Sequence, residues 1–187
     1  MPAWNGWYHV TGGTYGTWLP GDPRGWRARG HKEHVDGDYK APPPRGRYAA
    51  FHSASRGRMK HDAVILPPDA RVIGGQAMVE MLLHLGAEVL AFSLGGMHLH
   101  VLIRFGRLLA RRTVGRAKKH AYHVLQEAYG LGPIWAAGCR PEPIADRQHQ
   151  VNVYQYVLDH AREGAWVWRH NRGVYWETTL RFDDAEG

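Results

Sequence analysis

Residues 97–105, "MHLHVLIRF", alternate in a way only an extended strand can use. Met97, Leu99, Val101, Ile103 and Phe105 fall on one face, and His98, His100, Leu102 and Arg104 on the other. The preceding "AEVLAFSLGG" (87–96) predicts a partner strand, with Gly95-Gly96 as the tight turn of a hairpin. Upstream, 67–86 shows helical spacing at Val72, Val79, Leu82 and Leu83, with Asp69 as a candidate N-cap and Gly86 as the stop. "WYHVTGGTY" (7–15) predicts an opening strand. Residues 106–130 predict a long helix, 132–144 a short fourth strand and 150–166 a further helix. The order is β-α-β-β-α-β-α. Its first six elements are those of an α+β, ferredoxin-like antiparallel sheet with two helices on one face. The seventh is left to cover the open face.

Between the first strand and the first helix this patterning stops. Residues 16–61 are rich in Pro, Gly and Arg, as in "LPGDPRGWRARG" and "APPPRGR". They predict a long insertion rather than core. Trp18 and Trp26 lie there among Arg24, Arg27, Arg29 and Lys32. Such a mixture suits stacking on unpaired bases beside phosphate contacts, or tryptophans tucked against the body.

Composition narrows the classes. The 187 residues carry a formal net charge of +7, which favours a polyanionic partner such as nucleic acid. The length suits one domain spanning 1–187. Cys139 is the single cysteine, so an intrachain disulfide is excluded and a cysteine-based zinc site disfavoured. No apolar run is long enough to span a membrane, and the expectation is a soluble cytoplasmic protein. Arg104, Arg107, Arg111, Arg112, Arg116, Lys118 and Lys119 make the stretch around the long helix a candidate DNA-backbone surface.

The chemistry gathers on two elements. His98 and His100 point the same way and could share one divalent metal, or be a hydrogen-bonded pair on a half-covered sheet. On the last helix, Tyr156 and His160 are spaced i, i+4 and share a face. If that face covers the histidines, His160 completes a three-ligand site with Tyr156 beside it. A phenol with a pKa of about 10 needs an electrophile polarised by a metal, and phosphoryl transfer fits. Tyr154, two residues away, falls on roughly the opposite side of the helix.

These residues carry a resemblance. "GMHLHVLIRF" resembles the HUH motif, two histidines around a hydrophobic residue on a strand. "YVLDHAREGAWV" is similar to the tyrosine-helix signature of the REP-associated tyrosine transposases, a branch of the single-tyrosine HUH transposases. The resemblance runs through roughly 7–15 and 70–168. Two positions depart from it: Gly96-Met97 replaces the usual Pro-Asn, and His160-Ala161 the usual Asn-Pro. The resemblance implies His98, His100 and His160 as metal ligands and Tyr156 as nucleophile. It implies an enzyme using Mg²⁺ or Mn²⁺ to cleave and rejoin single-stranded DNA next to a hairpin, through a 5′-phosphotyrosine bond. Three imidazoles make a softer site, which should prefer Mn²⁺, Co²⁺ or Zn²⁺. Monomer and homodimer both stay open. So do three other functions: a replication-initiator nuclease with the same chemistry, a non-catalytic DNA-hairpin-binding protein, and a small metal-binding protein.

Overall fold

The computed structural model describes residues 3–24, 26, 44–106, 109–130, 132–170 and 173–175. Strands β1 (Trp7–Gly13), β2 (Glu88–Leu94), β3 (His98–Arg104) and β4 (Arg140–Pro143) form the order β4-β1-β3-β2, antiparallel throughout. This is the predicted ferredoxin-like sheet. Two strands not foreseen, β5 (Trp166–Arg169) and β6 (Gly173–Tyr175), extend it beyond β2.

Helices α2 (Pro68–His84) and α3 (Ala110–Tyr129) cover one face. Leu99, Val101 and Ile103 of β3 pack under them with Met78, Leu82, Val114, Ala117 and Leu125. Glycine is a poor helix former, yet Gly74 and Gly75 are both buried inside α2. A Cβ at Gly75 would lie 2.1 Å from Trp166 Cε3, so the helix approaches the sheet only because that position is bare. Asp69 is not the N-cap. The cap residue is Pro67, Pro68 takes the first helical position, and Asp69 lies in the first turn.

Helix α4 (Arg147–Asp159) covers the opposite face. Val153, Val157 and Leu158 pack on Leu102, Ala91 and Val167. Asp146 caps it by accepting from His149 N–H at 2.7 Å. The predicted helix ran on to 166, but α4 stops at Asp159. The chain then tightens into a 3₁₀ turn, His160–Glu163, and Gly164 takes φ +75°. That left-handed residue frees "WVW" to pair with β2 as β5.

The insertion is not wholly irregular. A helix, α1 (Ala49–Gly57), lies within it. Trp26 is buried, with its ring 5.3 Å from Tyr48 and 5.1 Å from Phe51.

Candidate metal centre

β3 alternates as predicted, so His98 and His100 stand on the α4 side of the sheet. His160 reaches them from the opposite wall. Its position at the switch from α-helix to 3₁₀ turn buries it, and its Nδ1 lies 2.8 Å from the Tyr156 carbonyl oxygen. A carbonyl only accepts, so Nδ1 carries the proton and Nε2 keeps its lone pair. The ligand atoms of His98, His100 and His160 all lie within 4.8 Å of one another, close enough to hold a metal ion.

Other atoms fit such a group. Ser93 on β2 is the cross-strand partner of His100, and its Oγ is buried without a hydrogen-bond partner. That unmet hydroxyl lies on the same face of the sheet as His100 and could serve an outer contact of a bound ion. Burial pushes His100 down to about 2, and the neighbouring His160, His9 and His98 add to the effect. Burial also lowers His98, assisted by His160 and Arg24 and opposed by Glu163. The two imidazoles are therefore neutral at physiological pH, the form a metal requires.

A stability consequence follows. The unfolded chain takes up protons on these histidines near pH 6.5, while the folded chain resists. Their contribution is complete above that pH and is lost as the pH falls below it, with His100 alone costing about 1.4 kcal/mol per pH unit. Thermal melts of the metal-free protein should therefore fall steadily from about pH 6.5 to 5. A His100→Gln variant should show a shallower slope. A melting temperature unchanged or rising on acidification would contradict a neutral His98 and His100 in the folded chain.

Tyr156 stands over this cluster. Its ring lies 4.7 Å from that of His160, 5.2 Å from His100 and 5.8 Å from His9, edge-on to each. The side chain is 48% exposed, open to a polymer arriving from solvent. Burial, with Glu163, raises its pKa. Tyr154 instead packs partly buried against the core beneath α4.

The basic residues divide. Arg111, Arg112, Arg116 and Lys119 are exposed on α3, on the far side of the sheet from the histidines. Lys118 is not available to DNA. It is buried, and its Nζ donates to the carbonyls of Ala136 (3.1 Å) and Gly138 (2.7 Å). Its carbon stem occupies the same stripe as Val114, Ala117 and Ala121. Trp26 is likewise withdrawn, enclosed by α1. Arg104 forms a bidentate pair with Glu88 (2.5 and 2.6 Å) at the end of β3 remote from the histidines. Arg107 lies outside the described residues. Trp18 is exposed, with the Arg24 guanidinium 4.5 Å over its ring. Arg24 is held by Asp22 and reaches Met97 Sδ at 3.5 Å, next to His98 in the chain.

One residue of the cluster was not foreseen. His9 on β1 places Nε2 3.0 Å from His100 Nδ1, with the two rings stacked 5.2 Å apart. Alternation in "WYHVTGG" put His9 on a face with Trp7 and Thr11. The pairing of Thr11 with His100 that brings it alongside is a matter of register.

No known family profile matches the sequence, and no curated protein matches it. Among solved structures, the chain is similar to a REP-associated tyrosine transposase bound to a REP hairpin. The match has 11% identity and a TM-score of 0.46, and covers 84% of this chain and 67% of that one. No described helix is long and apolar enough to cross a membrane.

Proposed function

We propose that the protein is a metal-dependent single-stranded DNA endonuclease and strand transferase of the HUH transposase type, cleaving next to hairpins. The observation that carries this reading is Tyr156, half exposed and edge-on to His100 and His160, the two buried members of a triad able to hold a metal. His98, His100 and His160 would hold the ion. When bound, a divalent cation neutralises the non-bridging oxygens of a scissile phosphate and makes phosphorus more electrophilic. Three neutral nitrogen donors favour Mn²⁺, Co²⁺ or Zn²⁺, with Mg²⁺ the weaker candidate.

The protein's own part begins with the phenol. A phenol is protonated at neutral pH, so the Tyr156 proton leaves as the new bond forms. The Tyr156 oxygen bonds to phosphorus, the bond to the DNA 3′-oxygen breaks, and that oxygen departs as a hydroxyl carrying one proton. The phosphotyrosine conserves the energy of the phosphodiester, so a 3′-hydroxyl can reverse the step and rejoin strands. Trp18, backed by Arg24, offers an exposed ring to an unpaired base near the centre. Arg111, Arg112, Arg116 and Lys119, across the sheet, would grip the backbone of a hairpin passing around the edge rather than the scissile phosphate.

End-labelled single strands carrying a hairpin test the reading. In Mn²⁺ the expected products are one fragment ending in a free 3′-hydroxyl and one whose 5′ end is blocked by protein. Cleavage that leaves a 5′-phosphate and no protein would contradict it. Retarded but uncut DNA in every metal would favour the hairpin-binding protein.

A further inference from the structure

The metal-centre reading leaves one choice open that the histidines themselves do not make. His100 uses Nδ1 toward His9 Nε2 at 3.0 Å, so only its Nε2 remains for a metal. A single proton sits between those two nitrogens. If His9 donates it, neutral His100 must carry its own proton on Nε2 and cannot ligate. If His100 donates it, Nε2 bears the lone pair. For His160 the direction is forced, because its Nδ1 faces a carbonyl. For His100 it depends on the tautomer of its neighbour.

We propose that His9 is a positioning residue for the metal centre: it accepts from His100 Nδ1–H and so turns the lone pair of His100 Nε2 toward the ion. Glu142 is the cross-strand partner of His9 on β4, with its carboxylate paired to Arg140 at 2.6 Å. The direction follows from the ion: only with the shared proton on His100 Nδ1 is Nε2 free to ligate. A histidine that accepts from a ligating histidine is an outer group of the kind that fixes ligand tautomers in metal sites. β1 and β3 are adjacent and in register over seven pairs, from Trp7↔Arg104 to Gly13↔His98, so the stacked pair is held by backbone on both sides. His9 also touches the edge of Tyr156, so a purely packing role is the alternative to be separated.

Two substitutions separate them. His9→Phe keeps a ring for stacking but has no acceptor. His9→Gln keeps an acceptor. Titration calorimetry of the full chain with Mn²⁺ and with Zn²⁺ should show affinity falling about 10- to 100-fold in His9→Phe. His9→Gln should bind closer to the wild type than to the Phe variant. In the Zn²⁺-loaded wild type, long-range ¹H–¹⁵N spectra should show His100 protonated at Nδ1. A folded His9→Phe that binds metal like the wild type would overturn the proposal, as would a His100 protonated at Nε2. If His9→Phe fails to fold, the wild-type spectrum still decides. Metal bound with the expected tautomer but no covalent DNA product would leave this inference standing and remove the phosphotyrosine reading. A wild type that binds neither metal would remove both.

Discussion

Tyr156→Phe is expected to abolish covalent DNA capture while leaving fold, metal binding and DNA binding in place. The substitution removes one oxygen. The ring contacts with His9, His100 and His160 are ring-to-edge and persist in phenylalanine. The side chain is about half exposed, so unfolding free energy should move by no more than about 0.5 kcal/mol. Nothing else in the described cluster offers an oxygen nucleophile at that place, and loss of a nucleophile typically costs on the order of 10⁴-fold or more. The readout is a protein–DNA band that survives SDS. Tyr154→Phe is the control. Tyr154 packs against the core under α4, and its loss should leave the band intact. A band that persists in Tyr156→Phe and vanishes in Tyr154→Phe would mean that α4 presents another face during the reaction.

The second large effect is expected at His160. His160→Ala deletes one of the three proposed ligands, together with the bond that orients it to the Tyr156 carbonyl. Metal affinity should fall by more than the roughly 100-fold at the upper end for loss of an outer partner. Thermal melts make this visible. With Mn²⁺ at about 100 times its Kd, binding stabilises the native state by about 2.7 kcal/mol; a 100-fold weaker variant retains about 0.4 kcal/mol at that concentration. The Mn²⁺-induced rise in melting temperature should therefore nearly disappear. A His160→Ala protein stabilised by Mn²⁺ as strongly as the wild type would show that the ion sits elsewhere.

The placement of the histidines and of Tyr156 is legible because it depends on periodicity alone. A period of two puts His98 and His100 on one face, and a spacing of four puts Tyr156 and His160 on another. What could not be read depends on pairing at a distance. His9 joins the site through the register of β1 on β3, and no local pattern gives a register. β5 is four residues long, too short for its alternation to stand out, and only Gly164 ends the helix soon enough to expose it. Trp26 owes its burial to Tyr48 and Phe51, more than twenty residues further along the chain. Lys118 is different, because its signal was present. It falls at the spacing of Val114, Ala121 and Leu125, on the apolar stripe of α3, where a long side chain can bury its stem and reach buried carbonyls with its tip.

The most direct measurement is the identity of the residue that carries the DNA. The full chain is incubated with Mn²⁺ and a hairpin-bearing single strand, the DNA is trimmed with nuclease, and the peptides are mapped by mass. The account predicts a nucleotide joined through its 5′-phosphate to Tyr156, absent in EDTA. A nucleotide on Tyr154 or another residue, or cut DNA with no modified peptide, would contradict it.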